Sequence, residues 1–369
     1  MTFYKELGID TYINAHDTYT DYGGSRMSDQ TILAMKEAKE HFVDMKQLQS
    51  VLGAKIAKLT HNEGAFISNG AAGALTLTAA VCMVEGDMYK YSLLPEATTV
   101  KNEIIVIRCQ RNAYDKAIQA AGAKIVEIGD ADETLDFELE GKIGEKTAAV
   151  FYFLNKNFER ASMPLQRVIE IAHSRKIPVV VDAAAQLPPV ENLWNITGIG
   201  ADLVLFSGGK TLAGPQDSGL IVGSQKLIED CQRFGAPAHG ICRGSKTSRE
   251  AMVGLYVALE QYLALDQASE YQRLEKNALQ LGAVMNEIGI PAKLCSSGPV
   301  GQSYPRIFGQ CQTQNQAQEI AAEMLKRRIY IGTDVRTNQI YISPLNLTDE
   351  EVHKVGELLL EVVRKELVR

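Results

Sequence analysis

In the segment Phe206-Ser207-Gly208-Gly209-Lys210-Thr211, an amine sits on a turn loosened by two glycines, directly after an apolar run. A lysine at a strand end with small neighbours lets a ligand come close; taken alone, it is more often a solvated loop residue. Asp182 ends another apolar run, Pro178-Val-Val-Val. The carboxyl end of a buried parallel strand is the edge where open α/β sheets bind ligands. A carboxylate there needs a partner, because an unpaired buried charge is costly. A protonated ring nitrogen is one such partner, and a following turn that the carboxylate caps is another. Ser68-Asn69-Gly70-Ala71-Ala72-Gly73 follows Ala65-Phe66-Ile67 and opens an apolar helix. Backbone N–H groups at the positive end of a helix suit a phosphate; the same small residues also suit tight helix packing. Beyond Arg108, Arg111 and Tyr114 are both planar groups able to lie over a ring, or simply parts of a surface loop.

These residues need a scaffold, and the pattern supplies one. The runs Glu103–Arg108, Lys124–Ile128, Ala148–Phe153, Pro178–Asp182, Leu203–Phe206 and Gly219–Val222 are short and rich in Val and Ile. Strands buried on both faces read this way. Amphipathic stretches such as Leu165 to Lys176 lie between them, so the pattern predicts an α/β fold: a mostly parallel sheet wrapped by helices. From Ser248, a plausible N-cap, to Ile288 the chain reads as one long helix. Strands near Tyr304–Phe308 and Ile340–Ser343, with helices near Gln314–Arg328 and Thr348–Leu367, then predict a smaller α+β domain. The expected division is residues 1–45 packing with the small domain, 46–247 as the large domain and 248–369 as the small one.

Composition narrows the partners. The chain has 369 residues, 46% hydrophobic and 22% charged, enough for a sizeable core. Its net charge of -7 gives no general attraction for nucleic acid. Cys82, Cys109, Cys231, Cys242, Cys295 and Cys311 form no CxxC pair, so we expect reduced thiols and no metal site. The first residues lack a signal-peptide core, and no apolar run approaches the roughly 20 residues of a membrane span. The expectation is a cytoplasmic protein without membrane contact.

The order phosphate loop, stacking residue, strand-end Asp, then Lys210 28 positions after Asp182 resembles the fold-type I pyridoxal-phosphate enzymes. Phe206-Ser-Gly-Gly-Lys-Thr-Leu-Ala-Gly-Pro-Gln-Asp-Ser-Gly-Leu-Ile-Val222 resembles, more narrowly, the selenocysteine synthase-like family (L-seryl-tRNA selenium transferase and its shorter homologues). Ile13-Asn14-Ala15, Gly23-Gly24-Ser25-Arg26 and Asp182-Ala-Ala-Ala-Gln-Leu-Pro-Pro189 carry the same likeness, which spans about residues 10–265. The resemblance implies pyridoxal 5'-phosphate held as a Schiff base by Lys210, with Asp182 on the pyridine nitrogen and Ala184 beneath the ring. It implies Arg111 over the other face, and Ser207 with Asn69, Gly70 and Ala71 around the phosphate. Some relatives carry His just before the lysine, where this chain has Gly209. Aminotransferase-like relatives place a carboxylate-gripping Arg before the C-terminal Ile-Ser pair, where this chain has Tyr341; Arg336 is the alternative.

The chain begins almost directly at Ile13-Asn14-Ala15 and is acidic, which argues against tRNA as substrate and for the short ammonia-lyase homologues. The implied reaction removes water, then ammonia, from D-glucosaminate 6-phosphate to leave 2-keto-3-deoxy-6-phosphogluconate. Arg26, Arg243 and Lys246 are the cations proposed for the substrate phosphate, and a homodimer or larger homo-oligomer is implied. A selenocysteine synthase-like transferase, another lyase, an aminotransferase, a desulfurase using Cys242 and a non-catalytic cofactor-binding protein remain as alternatives.

Overall fold

A computed structural model describes residues 3–298 and 300–366. Contacts divide it into two units, one built from 27–264 with 300–301, the other from the chain up to Arg26, 265–298 and 302 onward. The expected boundaries at 45 and 247 move for two reasons. Helix α1 (Asp29–Lys39) packs along the late helix α5 (Arg249–Ala264). The predicted long helix also breaks: Asp266 accepts from the N–H groups of Ala268 and Ser269, capping a new helix at Gln267.

The larger unit holds α1, α2 (Met45–Leu59), β1 (Gly64–Asn69), α3 (Gly70–Val84), β2 (Glu103–Ile107), β3 (Lys124–Ile128), β4 (Thr147–Phe153), α4 (Leu165–Ser174), β5 (Val179–Asp182), β6 (Leu203–Ser207), β7 (Ser218–Gly223) and α5. The strands form one seven-stranded sheet in the order β1-β7-β6-β5-β4-β2-β3. Only β7 opposes its neighbours; β6-β5-β4-β2-β3 pair in parallel. Val179, Val180 and Val181 are fully buried, as are Ile104 to Ile107. Each face of the sheet has its own core: α2, α4 and α5 cover one, and α3 covers the other.

The smaller unit is α+β, as expected. Helices α6 (Gln267–Glu287), α7 (Gln316–Lys326) and α8 (Asp349–Glu366) cover a four-stranded antiparallel sheet. Its strands β8 (Ala292–Cys295), β9 (Arg306–Gln310), β10 (Gly332–Asp334) and β11 (Gln339–Ile342) lie in the order β10-β11-β9-β8. Ile13-Asn14 pairs in parallel with Ile329-Tyr330, so the first residues belong here.

Candidate active site

The sheet brings the predicted residues to one edge. Asp182 closes β5, in register with Leu205 of the neighbouring β6. Lys210 stands three residues beyond the end of β6, half-buried. Between them, Gly208 N–H donates to the Ser218 carbonyl at 2.9 Å, and Gly214 N–H to the Gly208 carbonyl at 2.8 Å. A turn that folds back this tightly leaves no room for a side chain. A Cβ on Gly208 would lie 2.1 Å from Ser218 Oγ, and one on Gly209 2.6 Å from Gln216 Cα. The position where some relatives carry His therefore has to be glycine here.

Asp182 is half-buried, and its Oδ1 accepts from Ala184 N–H at 2.9 Å. Burial pushes its carboxyl up, opposed by that N–H and by the charge of Lys210. A carboxylate held in this balance suits a protonated ring nitrogen, which would keep it ionised. Asp182 caps the Ala183-Ala184 turn with one oxygen and stands close enough to Lys210 for their charges to interact.

The loop read as a phosphate site forms by strand register. Ser68 and Ser207 both sit opposite Gly219, one from each side of β7. A Cβ on Gly219 would lie 2.4 Å from the Gly70 carbonyl carbon, so only glycine lets α3 begin so near β7. Gly70 itself has φ +62, a left-handed turn suited to glycine. Asn69 Nδ2 donates to the Lys246 and Asp217 carbonyls at 3.3 and 3.4 Å, and Ser245 lies beside Gly73. Ser245 and the Lys246 backbone thus join Asn69, Gly70 and Ala71 at the start of α3. The sequence reading missed Ser245 and Gly219, whose roles depend on these pairings. The small residues at the head of α3, the serines beside it and the Asp182–Lys210 pair fit pyridoxal phosphate.

Other predicted residues are exposed or engaged with neighbours. Arg111 is tied to Asp115 and Glu127, and Tyr114 is 59% exposed. Gln110 was not anticipated: it is buried, accepts from Phe153 N–H at 2.9 Å and donates to Ser162 at 3.0 Å. Arg243 and Lys246 are exposed, with no ion pair among the described residues. In the smaller unit Arg26 forms a two-pronged pair with Glu351 at 2.9 and 2.6 Å. Arg336 lies in the turn between β10 and β11, its side chain 91% exposed and 3.7 Å from Asp334. Tyr341 hydrogen-bonds His16 Nε2 at 2.7 Å. The fully buried arginine there is Arg306, which sequence reasoning did not single out; it grips Asp17 at 3.1 and 3.2 Å.

Among the described residues no helix is long and apolar enough to cross a membrane, and no cluster of three or more His, Cys, Asp or Glu could hold a metal.

Residues 87–241 match the family Aminotransferase class-V. D-glucosaminate-6-phosphate ammonia lyase of Salmonella typhimurium is 31% identical over 264 residues, 70% of this chain and 69% of that protein. A Streptomyces 5'-C-glycyluridine monooxygenase-decarboxylase is 31% identical over 76% of this chain and 71% of its own length. L-seryl-tRNA(Sec) selenium transferase of Alkaliphilus metalliredigens is 28% identical over 58% of this chain, which spans only 45% of that protein. A solved structure of D-glucosaminate-6-phosphate ammonia-lyase superposes with a TM-score of 0.86 at 26% identity, covering 99% of this chain and 98% of that one.

Proposed function

Because the chain belongs to the class-V aminotransferase family of pyridoxal-phosphate enzymes, in the branch it shares with D-glucosaminate-6-phosphate ammonia-lyase and the selenium transferases, we propose that it is an ammonia-lyase. Its substrate in this reading is D-glucosaminate 6-phosphate, converted to 2-keto-3-deoxy-6-phosphogluconate and ammonia. The observation that carries the reading is the Asp182–Lys210 pair at adjacent strand ends, on a chain that matches the ammonia-lyase fold over nearly its whole length.

Bound pyridoxal phosphate supplies an electron sink for the bonds broken at the substrate's Cα and Cβ. The protein decides which bonds break. The Asp182 carboxylate would hold a proton on the ring nitrogen. Lys210 would hold the cofactor through its amine, and the same amine would take the Cα proton and give a proton to the departing β-hydroxyl. The glycine turn keeps that amine at the strand edge, because its backbone has no room to relax. Ser207 with the Asn69, Gly70 and Ala71 backbone would anchor the cofactor phosphate, and Ala184 would lie under the ring.

For the substrate phosphate, exposed Arg243 and Lys246 are favoured over Arg26, which already faces a carboxylate, as does Arg336, the residue read for the substrate carboxylate. Arg111, held by two acids, would have to leave one of them to cover the ring. The reading includes a homo-oligomer in the cytoplasm acting on a small molecule. Incubating the cofactor-loaded protein with D-glucosaminate 6-phosphate should release keto acid and ammonia in equal amounts. Borohydride reduction should leave the cofactor covalently on Lys210. Absence of keto acid alongside a labelled Lys210 would reject the substrate and keep the cofactor chemistry; a label on another lysine would reject both.

A further inference from the structure

The opposite edge of the same sheet carries a second concavity. It measures about 430 Å³ and opens beside the amino ends of β1 and β6. Glu63, His61, Trp194, Thr197 and Asp202 line it, and among the described residues no lysine or arginine does. Asp182 and Lys210 stand at the carboxyl ends of their strands, so this cavity is separate from the reaction site.

The local chain is built to present these groups. Helix α2 ends in a Schellman cap: Asn62 N–H donates to the Ala57 carbonyl at 2.9 Å, and His61 N–H to the Lys58 carbonyl at 3.5 Å. That geometry puts His61 at φ +53, where glycine is the usual residue. An imidazole stands there instead, edge-on to the Trp194 indole at 5.3 Å and 83°. Asn62 fixes the other wall, donating to the Leu193 carbonyl at 2.8 Å and accepting from Thr197 Oγ1 at 2.6 Å. Asp202 Oδ2 accepts from Val179 N–H at 2.7 Å and meets His173 Nε2 at 2.8 Å. Glu63 Oε2 accepts from Gln225 N–H at 3.0 Å. The second oxygen of each carboxylate has no partner among the described residues.

Two carboxylates without a balancing cation in the lining repel anions and attract cations. An indole face is the strongest aromatic partner for an organic cation. A volume of this size admits a small molecule. We propose that this cavity is a binding site for a small organic ammonium ion, protonated or quaternary, held by Trp194 with the Glu63 and Asp202 carboxylates. The site is independent of the lyase reaction.

Trp194 is the chain's one tryptophan, so its emission reports on this cavity directly. The cofactor-loaded protein is titrated with choline chloride at constant ionic strength, and with 3,3-dimethylbutan-1-ol, its uncharged isostere. Choline has no primary amine and cannot displace Lys210. A saturable change in Trp194 emission with choline is expected, with the isostere weaker by about tenfold. Glu63→Gln should weaken choline about fivefold. His61→Gly, which suits the cap, should keep the circular dichroism spectrum and also weaken choline. The proposal is overturned if choline gives no saturable change, if the alcohol binds as well, or if choline alters the cofactor's visible absorbance, which would put it at the other edge.

Discussion

At the scale of single residues, the site rests on charges balanced by position. Asp182 is pushed up by burial and pulled down by Ala184 N–H and Lys210. Asp182→Asn removes the charge and keeps the shape. The amide cannot hold a proton on the ring nitrogen, and a charge-assisted hydrogen bond is worth about 1.5–3 kcal/mol. Cofactor should still bind, while kcat falls by at least about tenfold; near-normal turnover would reduce Asp182 to a cap. Arg243 and Lys246 make a different prediction. The substrate phosphate is remote from the breaking bonds, so its contacts hold ground and transition states alike. Replacing either by Ala should raise KM by roughly thirtyfold with kcat little changed, for the loss of about 2 kcal/mol. The effect should vanish with the dephosphorylated acid. An equal loss with both substrates would mean that the side chain supports the cofactor or the fold.

At the scale of elements, the turn before Lys210 is set by what cannot fit beside it. A methyl at Gly209 would press on the Gln216 backbone, which has no rotamer to yield. Gly209→Ala should destabilise by roughly 1–3 kcal/mol and shift Lys210. Urea unfolding and the yield of borohydride label on Lys210 would both fall; unchanged values would show that the turn yields cheaply. This element was legible in the sequence, and so were β2 and β4 to β7, because strands buried on both faces read as unbroken apolar runs; the edge strand β3, only partly buried, still showed in Ile125, Val126 and Ile128. The break at Asp266 was not. Leu263 and Leu265 carry the apolar pattern up to it, although Asp266 followed by Ser269 and Glu270 was a cap signal in plain view. Strands β8 and β10, four and three residues long, are too short for alternation to show. Asp182 and Lys210 could be read because each follows its own strand. The union of Ser68, Ser207 and Gly219, and the Asp17–Arg306 pair, depend on pairings between distant segments, which no local pattern encodes.

At the scale of the molecule, two predictions follow from what is buried and what is left exposed. His16 lies buried in the smaller unit, and burial pushes its imidazole down to about 4, with Arg306 acting the same way against Asp17. The unfolded chain, with histidine near 6.5, takes up a proton first as pH falls. Stability from neutral His16 is therefore complete above about pH 6.5 and is lost as pH drops toward 4, on the order of 3 kcal/mol in all. The urea midpoint should fall between pH 7 and 5, and His16→Phe should flatten that slope; an unchanged slope would assign the loss to other groups.

The exposed surface of the larger unit speaks to assembly. Phe42 is 96% exposed, with Ile32, Leu33, Val43 and Val51 also exposed on α1, α2 and the loop between them. Exposed large apolar side chains this frequent along one stretch of chain mark an interaction surface more often than a solvated one. None of the residues proposed for the site lies among them, so the surface suits a second copy of the chain rather than substrate. Leu33→Glu with Phe42→Glu puts two like charges into that surface. Folding should survive, because Arg249 caps α1 through the Ala38 and Lys39 carbonyls, and what it gives up is a contact over the exposed Phe42 ring at 5.2 Å. Sedimentation should then show monomer where the parent protein shows dimer or larger, at unchanged circular dichroism. Activity should fall with the dimer if the partner copy completes the site, and recover at high protein concentration. A parent protein that sediments as a monomer, or a variant that stays assembled, would remove this surface from the interface.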